Sequence, residues 1–470
     1  MALDETSQPV ELLLSVSRDG PRTLGAQIED QLRGAIRDGA LRSGARVPST
    51  RDLARQLGVS RRVAVDAYAQ LAAEGYLNLR QGARPRVAEA AAERAAPVPP
   101  APSAPRIRFD FSPSVPDVST FPRSAWLRCV RHALATMDDV EMGYGDMRGA
   151  GVLRAALAEY LGRVRGVVAD PAQIVVTSGF SQSLGIVCHA LARAGAKRVA
   201  LEDPSGLYQR AIVARAGLEP VPVAVDAEGL CVEALGRARA DAVVVTPSHQ
   251  HPTGVVLSGG RRTALREWLR RHEAIAIEDD YDAEYRYDRA AVGALQGLEP
   301  DRVVYAGSAS KSLAPALRIG WMVVPPALLD AVGGEKVVAD RGTARIEQHA
   351  FADFVARGEL DRHLRRMRVR YRGRRDALVD ALAGALPDAT VRGIAAGLHV
   401  TVELAGGVDE HVLRDEASRR RIALETMADY RLGTGEGPTI LMLGYAPLPE
   451  PTIRAGVREL AEAVRAARLT

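Results

Sequence analysis

The sequence predicts a multidomain chain: a small helical unit with a two-stranded wing, then an α/β domain that ends in a smaller α+β part. Three observations predict it. The 470 residues are about three times the ~150 of an average domain. Between Ala88 and Arg108 the prolines Pro97, Pro99, Pro100, Pro102 and Pro105 stand among alanines, a semi-rigid linker with almost nothing to bury. After it, short apolar runs alternate with helical periodicity, the pattern of a sheet with helices on its faces. The expected boundaries are 10–87, 88–108 and 109–470, with the smaller part beginning at about 328.

In the first unit Leu24, Ile28, Leu32 and Ile36 recur every four residues and mark an amphipathic helix, ended by Gly39 and Gly44. Ser49 or Thr50 caps a second helix that carries Leu53 and Leu57. Gly58-Val59-Ser60 makes a tight turn, and a third helix from Arg61 buries Ala64, Tyr68 and Leu71 before Gly75 stops it. Tyr76 to Val87 reads as a hairpin around Gln81-Gly82. Three helices and a wing make a winged helix-turn-helix. Net charge is only +4, yet Arg42 to Arg86 holds nine arginines against Asp52, Asp66 and Glu74. That basic patch suggests a DNA-facing module. In a helix-turn-helix the second helix enters the major groove by its N-terminus, here Ser60-Arg61-Arg62, with Arg51 heading the helix before it. Arginine suits both guanine and phosphate contacts, and Gln81 and Gly82 form a wing tip narrow enough for a minor groove. A plain interaction module is the alternative, and it leaves the gathering of arginines unexplained.

The runs Ile174–Thr177, Val199–Glu202, Val221–Val225, Ala242–Thr246, Ala274–Glu278, Val303–Gly307 and Trp321–Val324 are expected as strands covered on both faces of a doubly wound sheet. From about Leu328 the pattern changes: a helical stretch Asp361–Leu386, then strand-like Leu398–Leu404 and Ile440–Leu443. The arginines crowded into Asp361–Arg375 are expected on a solvated helix face; an extra DNA-contacting stripe is the alternative. No stretch approaches the ~20 apolar residues of a membrane span, and Met1 to Val10 lacks the apolar core of a signal peptide. Cys129, Cys188 and Cys231 are odd in number and far apart, which argues against a disulfide framework or a metal site and for reduced thiols in the cytoplasm.

Only Lys197, Lys311 and Lys336 are lysines, so chemistry that needs an amine has three candidates. Lys311, in Ser308-Ala309-Ser310-Lys311, follows a strand, where ligands of open α/β sheets bind. Lys197 and Lys336 read as solvated. Thr177-Ser178-Gly179-Phe180-Ser181-Gln182 ends another strand and opens a helix: an anion cradle, or only a cap. Glu278-Asp279-Asp280-Tyr281-Asp282 ends a third: a carboxylate that could hold a pyridinium protonated, or a cap. A cradle, an acid and a lysine together describe a site for pyridoxal phosphate.

Val47-Pro48-Ser49-Thr50-Arg51-Asp52-Leu53-Ala54, Leu57-Gly58-Val59-Ser60-Arg61 and Glu74-Gly75-Tyr76-Leu77 resemble the GntR family of bacterial repressors. Val245-Thr246-Pro247-Ser248-His249-Gln250-His251-Pro252-Thr253-Gly254, the acidic run and Ser308-Ala309-Ser310-Lys311-Ser312-Leu313-Ala314-Pro315 resemble fold-type I aminotransferases. The combination is similar to the MocR branch of the GntR regulators.

The resemblance implies a winged helix-turn-helix in which Arg51, Ser60, Arg61 and Gly82 approach DNA, with Arg62 where a small polar residue is usual; Ser49, Thr50 and Arg62 at the helix starts and Gln81 at the wing tip are expected to join them. It implies a fold-type I PLP-dependent aminotransferase-like domain with Lys311 as the Schiff-base lysine. Asp279 would pair with the pyridine nitrogen and Tyr281 with the ring hydroxyl, while Gly179, Phe180, Ser308, Ser310 and Arg318 surround the phosphate. Tyr144 would reach the phosphate of a partner subunit in a head-to-tail homodimer.

Three positions depart from the pattern. The stacking tyrosine's place falls on Gly206, with Tyr208 two residues on. The asparagine before Pro-Thr-Gly is His251, and the chain's only asparagine, Asn78, is in the wing. The place of a substrate-carboxylate arginine, counted back from Leu443-Gly444-Tyr445, falls on Thr439, with Arg431 the nearest replacement. A DNA-binding regulator that responds to pyridoxal phosphate or an amino compound is therefore expected, with poor binding of α-carboxylates and the cofactor itself as signal. The rival is a working aminotransferase with a secondary DNA-binding domain, and steady-state turnover of amino donors separates the two.

Overall fold

A computed structural model describes residues 14–89, 107–287, 292–432 and 437–468. The proline-rich stretch 90–106, most of the expected linker, lies outside the described residues, which fall into two compact units on either side of it.

In the N-terminal unit α1 (Leu24–Arg37), α2 (Thr50–Leu57) and α3 (Arg61–Ala73) are followed by a two-stranded antiparallel wing, β1 (Leu77–Asn78) and β2 (Arg86–Val87). The apolar stripe of each helix turns inward: Ile28, Leu32, Ile36, Leu53, Ala64, Tyr68 and Leu71 are buried together with Leu77 and Val87. Side-chain oxygens start the helices as their residue types favour. Thr23 accepts the Ala26 N–H, Ser49 that of Asp52 and Ser60 that of Val63. Gly58, at φ +64°, ends α2 in the left-handed region, which costs a glycine nothing sterically. The buried Tyr68 hydroxyl donates to the Pro48 carbonyl at 2.9 Å, and Arg33 ties α1 to the end of α3 through Glu74.

The C-terminal unit opens on β3 (Phe109–Asp110). Its main sheet comprises β4 (Ile174–Thr177), β5 (Arg198–Asp203), β6 (Glu219–Asp226), β7 (Gly229–Leu230), β8 (Ala242–Val245), β9 (Ile275–Asp280), β10 (Val303–Ser308) and β11 (Gly320–Val323). Their order is β4-β11-β10-β9-β8-β5-β6-β7. Each strand-like run of the sequence is a strand here. β4, β8 and β11 are buried throughout, as continuous apolar runs should be. β6 departs from that expectation: it lies near the sheet's edge and is mostly exposed or half-exposed, since only the short β7 pairs with its outer side. β11 runs antiparallel to both β10 and β4, so β4 is parallel to β10 and β9, and the carboxyl ends of these three strands share one edge of the sheet.

The smaller part carries β12 (Thr390–Arg392), β13 (His399–Glu403), β14 (Ile422–Ala423), β15 (Glu425–Thr426) and β16 (Ile440–Gly444), with sheet order β12-β13-β16-β15. β14 instead pairs in parallel with β3, so residues from the start of the unit belong structurally with its end. The arginine-rich helix Glu359–Ala385 is not simply a solvated face. Arg368 donates twice to the Glu284 carbonyl, at 3.0 and 2.8 Å. Arg372 donates to the Tyr287 carbonyl, and Arg374 and Arg370 both face the buried Asp117. These guanidiniums fasten the helix to the rest of the unit. Lys336 also departs from the sequence reading. It lies in the helix Pro326–Asp340, wholly buried, its ammonium donating to Asp340 at 2.6 Å and Thr343 at 2.8 Å. Among the described residues no helix is long and apolar enough to cross a membrane.

Candidate functional site

The end of β9 sorts a run of acids by strand alternation. Glu278 accepts the backbone N–H groups of Leu295 and Gln296, both at 2.9 Å. Asp280 takes two donors from Arg165, at 2.7 and 3.1 Å, and the Tyr305 hydroxyl at 2.7 Å. Asp282 lies 2.9 Å from His249 Nδ1, which is also 3.0 Å from the Tyr281 hydroxyl. The alternate residues, Asp279 and Tyr281, line a cavity of about 440 Å³, a size suited to a small molecule.

The neighbouring strand ends complete that cavity. After β10, Ser308 Oγ caps the short helix Ala309–Ser312 by accepting the Ser310 N–H at 3.0 Å, and donates to Ser310 Oγ at 2.8 Å. Lys311 lies on this turn and lines the cavity. After β4, Gly179 at φ +131° heads the helix Phe180–Arg193. A Cβ on Gly179 would sit 3.5 Å from the Arg318 guanidinium and 3.9 Å from Ser308 Oγ, so the absent side chain leaves open the hollow between helix start, hydroxyls and guanidinium. A Cβ on Gly320 would come within 2.6 Å of Gly179 Cα. Arg318 reaches this edge because β11 is antiparallel: Gly320 pairs with Thr177 and Ser308, so the residues just before β11 lie where its neighbours end.

Burial sets the protonation of the lining groups. It pushes Asp279 well above the usual carboxylate range, with Asp280 and Asp282 adding to the shift and Lys311 opposing it. It lowers the Lys311 amine, opposed by Asp279 and Asp282. Burial, then the nearby His249 and Lys311, takes His251 down to about 3, so its imidazole is neutral. His251 Nδ1 is buried without a hydrogen-bond partner; the ring packs edge-on against Tyr281 and Tyr430, with centroids 5.5 and 5.2 Å away. A carboxyl lacking a cation, an anion cradle, an orphaned ring nitrogen and a lysine of weakened basicity are a donor set that fits pyridoxal phosphate.

Gly179, Phe180, Tyr208, His251, Asp279, Tyr281, Ser308, Ser310, Lys311 and Arg318 all line this cavity. Tyr144 does not. It is 68% exposed and lines a separate hollow, with the Arg341 guanidinium 4.9 Å from its ring centre. Thr439 is also away from the cavity: its hydroxyl donates to the Val408 carbonyl at 3.2 Å. The residue of β16 that packs behind the cavity wall is Met442, buried against Met427 and Tyr430. Counting along a sequence does not reveal which side chain of a strand faces a site, and Thr439 precedes β16 altogether. Arg431 is no replacement, because its guanidinium lies beside Gly437 and does not line the cavity.

The sequence reading missed Ser114, Gln209, Glu425 and Tyr430, all of which line the cavity. Thr426 with Asp429 three residues on forms a capping box, a turn signal legible in sequence. Nothing local tells that Glu425 and Tyr430, on either side of it, line the same cavity as Lys311.

In the N-terminal unit every one of the nine arginines from Arg42 to Arg86 is exposed. Arg51, Arg61 and Arg62 stand at helix starts, and Arg62 is 3.7 Å from Asp66. Ser49 and Ser60 use their hydroxyls as helix caps, with Thr50 half-buried beside Ser49. Gln81 and Gly82, the latter at φ +77°, are exposed at the hairpin tip.

Two family models match the chain: aminotransferase class I and II over residues 117–423, and bacterial regulatory proteins of the gntR family over residues 24–87. The chain is 32% identical over 466 residues to the HTH-type pyridoxine biosynthesis transcriptional regulator PdxR of Corynebacterium glutamicum, covering 97% of this chain and 99% of the relative. It is 33% identical to the probable rhizopine catabolism regulatory protein MocR of Rhizobium meliloti, covering 96% of each. Among solved structures, a Pyrococcus horikoshii kynurenine aminotransferase in complex with PMP matches with a TM-score of 0.70 and 26% identity, covering 77% of this chain and 91% of the aminotransferase.

Proposed function

From a chain that belongs to the MocR-type branch of the gntR family, a winged helix-turn-helix joined to an aminotransferase class I and II domain, we propose a DNA-binding transcription regulator whose larger unit holds pyridoxal phosphate and responds to it or to an amino compound. The observation that carries the proposal is the meeting of Lys311, Asp279 and the Gly179–Arg318 cradle in one cavity.

Bound there, pyridoxal phosphate supplies an aldehyde that captures amines and a ring that withdraws electrons. The chain's own residues do the rest. The helix start at Gly179 and Phe180, the hydroxyls of Ser308 and Ser310 and the Arg318 guanidinium bind the phosphate through backbone N–H groups and charge-assisted hydrogen bonds. Asp279, buried without a full countercharge, keeps a proton on the ring nitrogen and thereby gains one. Lys311, its basicity lowered by burial, offers an unprotonated amine more readily than a solvated lysine does. His251 and Tyr281 would hold the ring hydroxyl, and Tyr208 would cover the ring. Tyr144 is exposed and outside its own chain's cavity, which supports a head-to-tail homodimer in which it would reach the phosphate held by the second subunit.

On the DNA side Arg51, Arg61 and Arg62, with Ser49, Thr50 and Ser60 at the helix starts, dock on one groove and its phosphates, and Gln81 and Gly82 at the wing tip on the next. The cytoplasm is the compartment such a regulator needs. Steady transamination is not favoured, because among the described residues Arg318 is the only arginine lining the cavity and the cradle engages it.

The test is borohydride reduction of the cofactor-loaded chain followed by peptide mapping. Label on Lys311, lost together with the visible absorption band in Lys311→Ala, is expected; label on Lys197 or Lys336 overturns the assignment. Cofactor titration on operator DNA then reads the sensing step, since a ligand shifts conformations only through unequal affinities for them.

A further inference from the structure

The charges that line the cavity do not cancel once the cofactor's groups are matched. Arg318 answers the phosphate, Asp279 the ring nitrogen and Lys311 the aldehyde. Glu425 is left over. Its carboxylate accepts the Tyr430 hydroxyl, and among the described residues no guanidinium or ammonium pairs with it. Burial and Glu425 itself push the Tyr430 hydroxyl far above its usual range, so it stays a donor and holds the carboxylate toward the cavity. The places where a carboxylate-binding arginine was sought hold Thr439, bonded to Val408, and Arg431, turned to Gly437. The front of the cavity is therefore anionic and aromatic, with Tyr208 and Tyr430 beside the acid.

We propose that this front selects an amine that carries a second cationic group and no carboxylate, the cation pairing with Glu425 between the rings of Tyr208 and Tyr430. A carboxylate there would be desolvated against a like charge, and among the described residues the cavity offers it no cation beyond Arg318 and Lys311, which the cofactor engages. An ammonium meets an acceptor held by the Tyr430 hydroxyl and two tyrosines that line the same cavity, surroundings that favour a cation. The inference rests on pyridoxal phosphate filling the back of the cavity, and it names the chemical class of the effector that the regulatory reading leaves open.

The test uses three ligands of one chain length that differ only at the far end: 1,4-diaminobutane, 1-aminobutane and 4-aminobutanoate. Isothermal calorimetry is run on the full chain, cofactor-loaded and cofactor-free. The diamine is expected to bind about tenfold more tightly than the monoamine, the fold-change of one charge-assisted hydrogen bond, and the amino acid least tightly. Glu425→Gln should close the gap between diamine and monoamine, and Tyr430→Phe should narrow it. Tightest binding of 4-aminobutanoate, or a tenfold gap that survives in Glu425→Gln, overturns the proposal. Should Glu425→Gln not fold, the order of the three ligands on the wild-type chain decides. A chain that takes up no cofactor at Lys311 refutes the reading beneath the proposal, and the ligand order on the cofactor-free chain then judges Glu425 separately.

Discussion

The two units treat charge in opposite ways. In the N-terminal unit the arginines from Arg42 to Arg86 stand in solvent, and Arg62 and Asp66 approach to 3.7 Å with side chains 91% and 70% exposed. In the C-terminal unit Arg165 and Asp280 meet at 2.7 Å with side chains 2% and 3% exposed, and the Tyr305 hydroxyl and Ser248 complete the set. An exposed pair contributes about 0–1 kcal/mol to stability, so the N-terminal charges matter to what they meet. A buried pair that loses one member leaves an uncompensated charge in the interior, so the C-terminal charges matter to the fold and to the cavity it shapes.

The sharpest way to break that contrast is Arg165→Ala. Asp280 would be left buried, and a loss of about 3–5 kcal/mol in denaturant unfolding is expected; a loss comparable to that of a surface mutation would show that the pair is not sealed from water. Next comes Glu202, wholly enclosed behind the cavity, where it accepts the N–H and hydroxyl of Thr246 and the amide of Gln250. Burial raises it to about 7. Because its folded pKa exceeds the unfolded one, the folded state binds the extra proton between about pH 4.5 and 7, and stability falls as pH rises through that window. Glu202→Gln keeps the acceptor and cannot ionise. The variant should gain about 2–3 kcal/mol over wild type between the acid and alkaline ends of the window, read from unfolding curves at a series of pH values; parallel curves would place Glu202 in contact with solvent.

Smaller effects are expected where charge is exposed. Arg61→Ala should weaken operator binding by about 1–3 kcal/mol and relax specificity at one base pair if the guanidinium reads guanine. Weakening that is uniform across sequences would assign Arg61 to a phosphate instead. The smallest stability effect belongs to Arg62→Ala, within about 0.5 kcal/mol, while the salt dependence of DNA binding should fall by about one phosphate contact. A large stability loss in this variant would erase the distinction between the two units.

The same contrast explains what could be read in advance. The N-terminal unit was legible almost residue by residue, because its signals are local: four-residue spacing in α1, serines and a threonine at helix starts, Gly58 in the turn, and a run of arginines that stays exposed. The strands of the large sheet were legible as apolar runs, and so was the nearness of Lys311, Asp279 and Gly179 to one another, since each stands at the carboxyl end of its strand or within three residues of it. The misreadings were all relational. Lys336 looked solvated until Asp340 and Thr343 enclosed it, and among the arginines after Asp361, most of which are exposed, Arg368 and Arg374 looked solvated until the Glu284 carbonyl and Asp117 met them.

By itself the sequence determined the order of the units and the strand ends that carry Lys311 and the Gly179 turn, because turn chemistry, capping and strand-end position are properties of neighbouring residues. Only the tertiary structure decided which acids of the β9 run serve the cavity and which are neutralised behind it. It alone brought Arg318 to the cradle by reversing β11, and Glu425 to the front of the site from more than a hundred residues away. The physical reason is that the energy of a charge depends on what surrounds it in space, and a chain that folds back on itself places distant residues side by side with no mark in their local pattern.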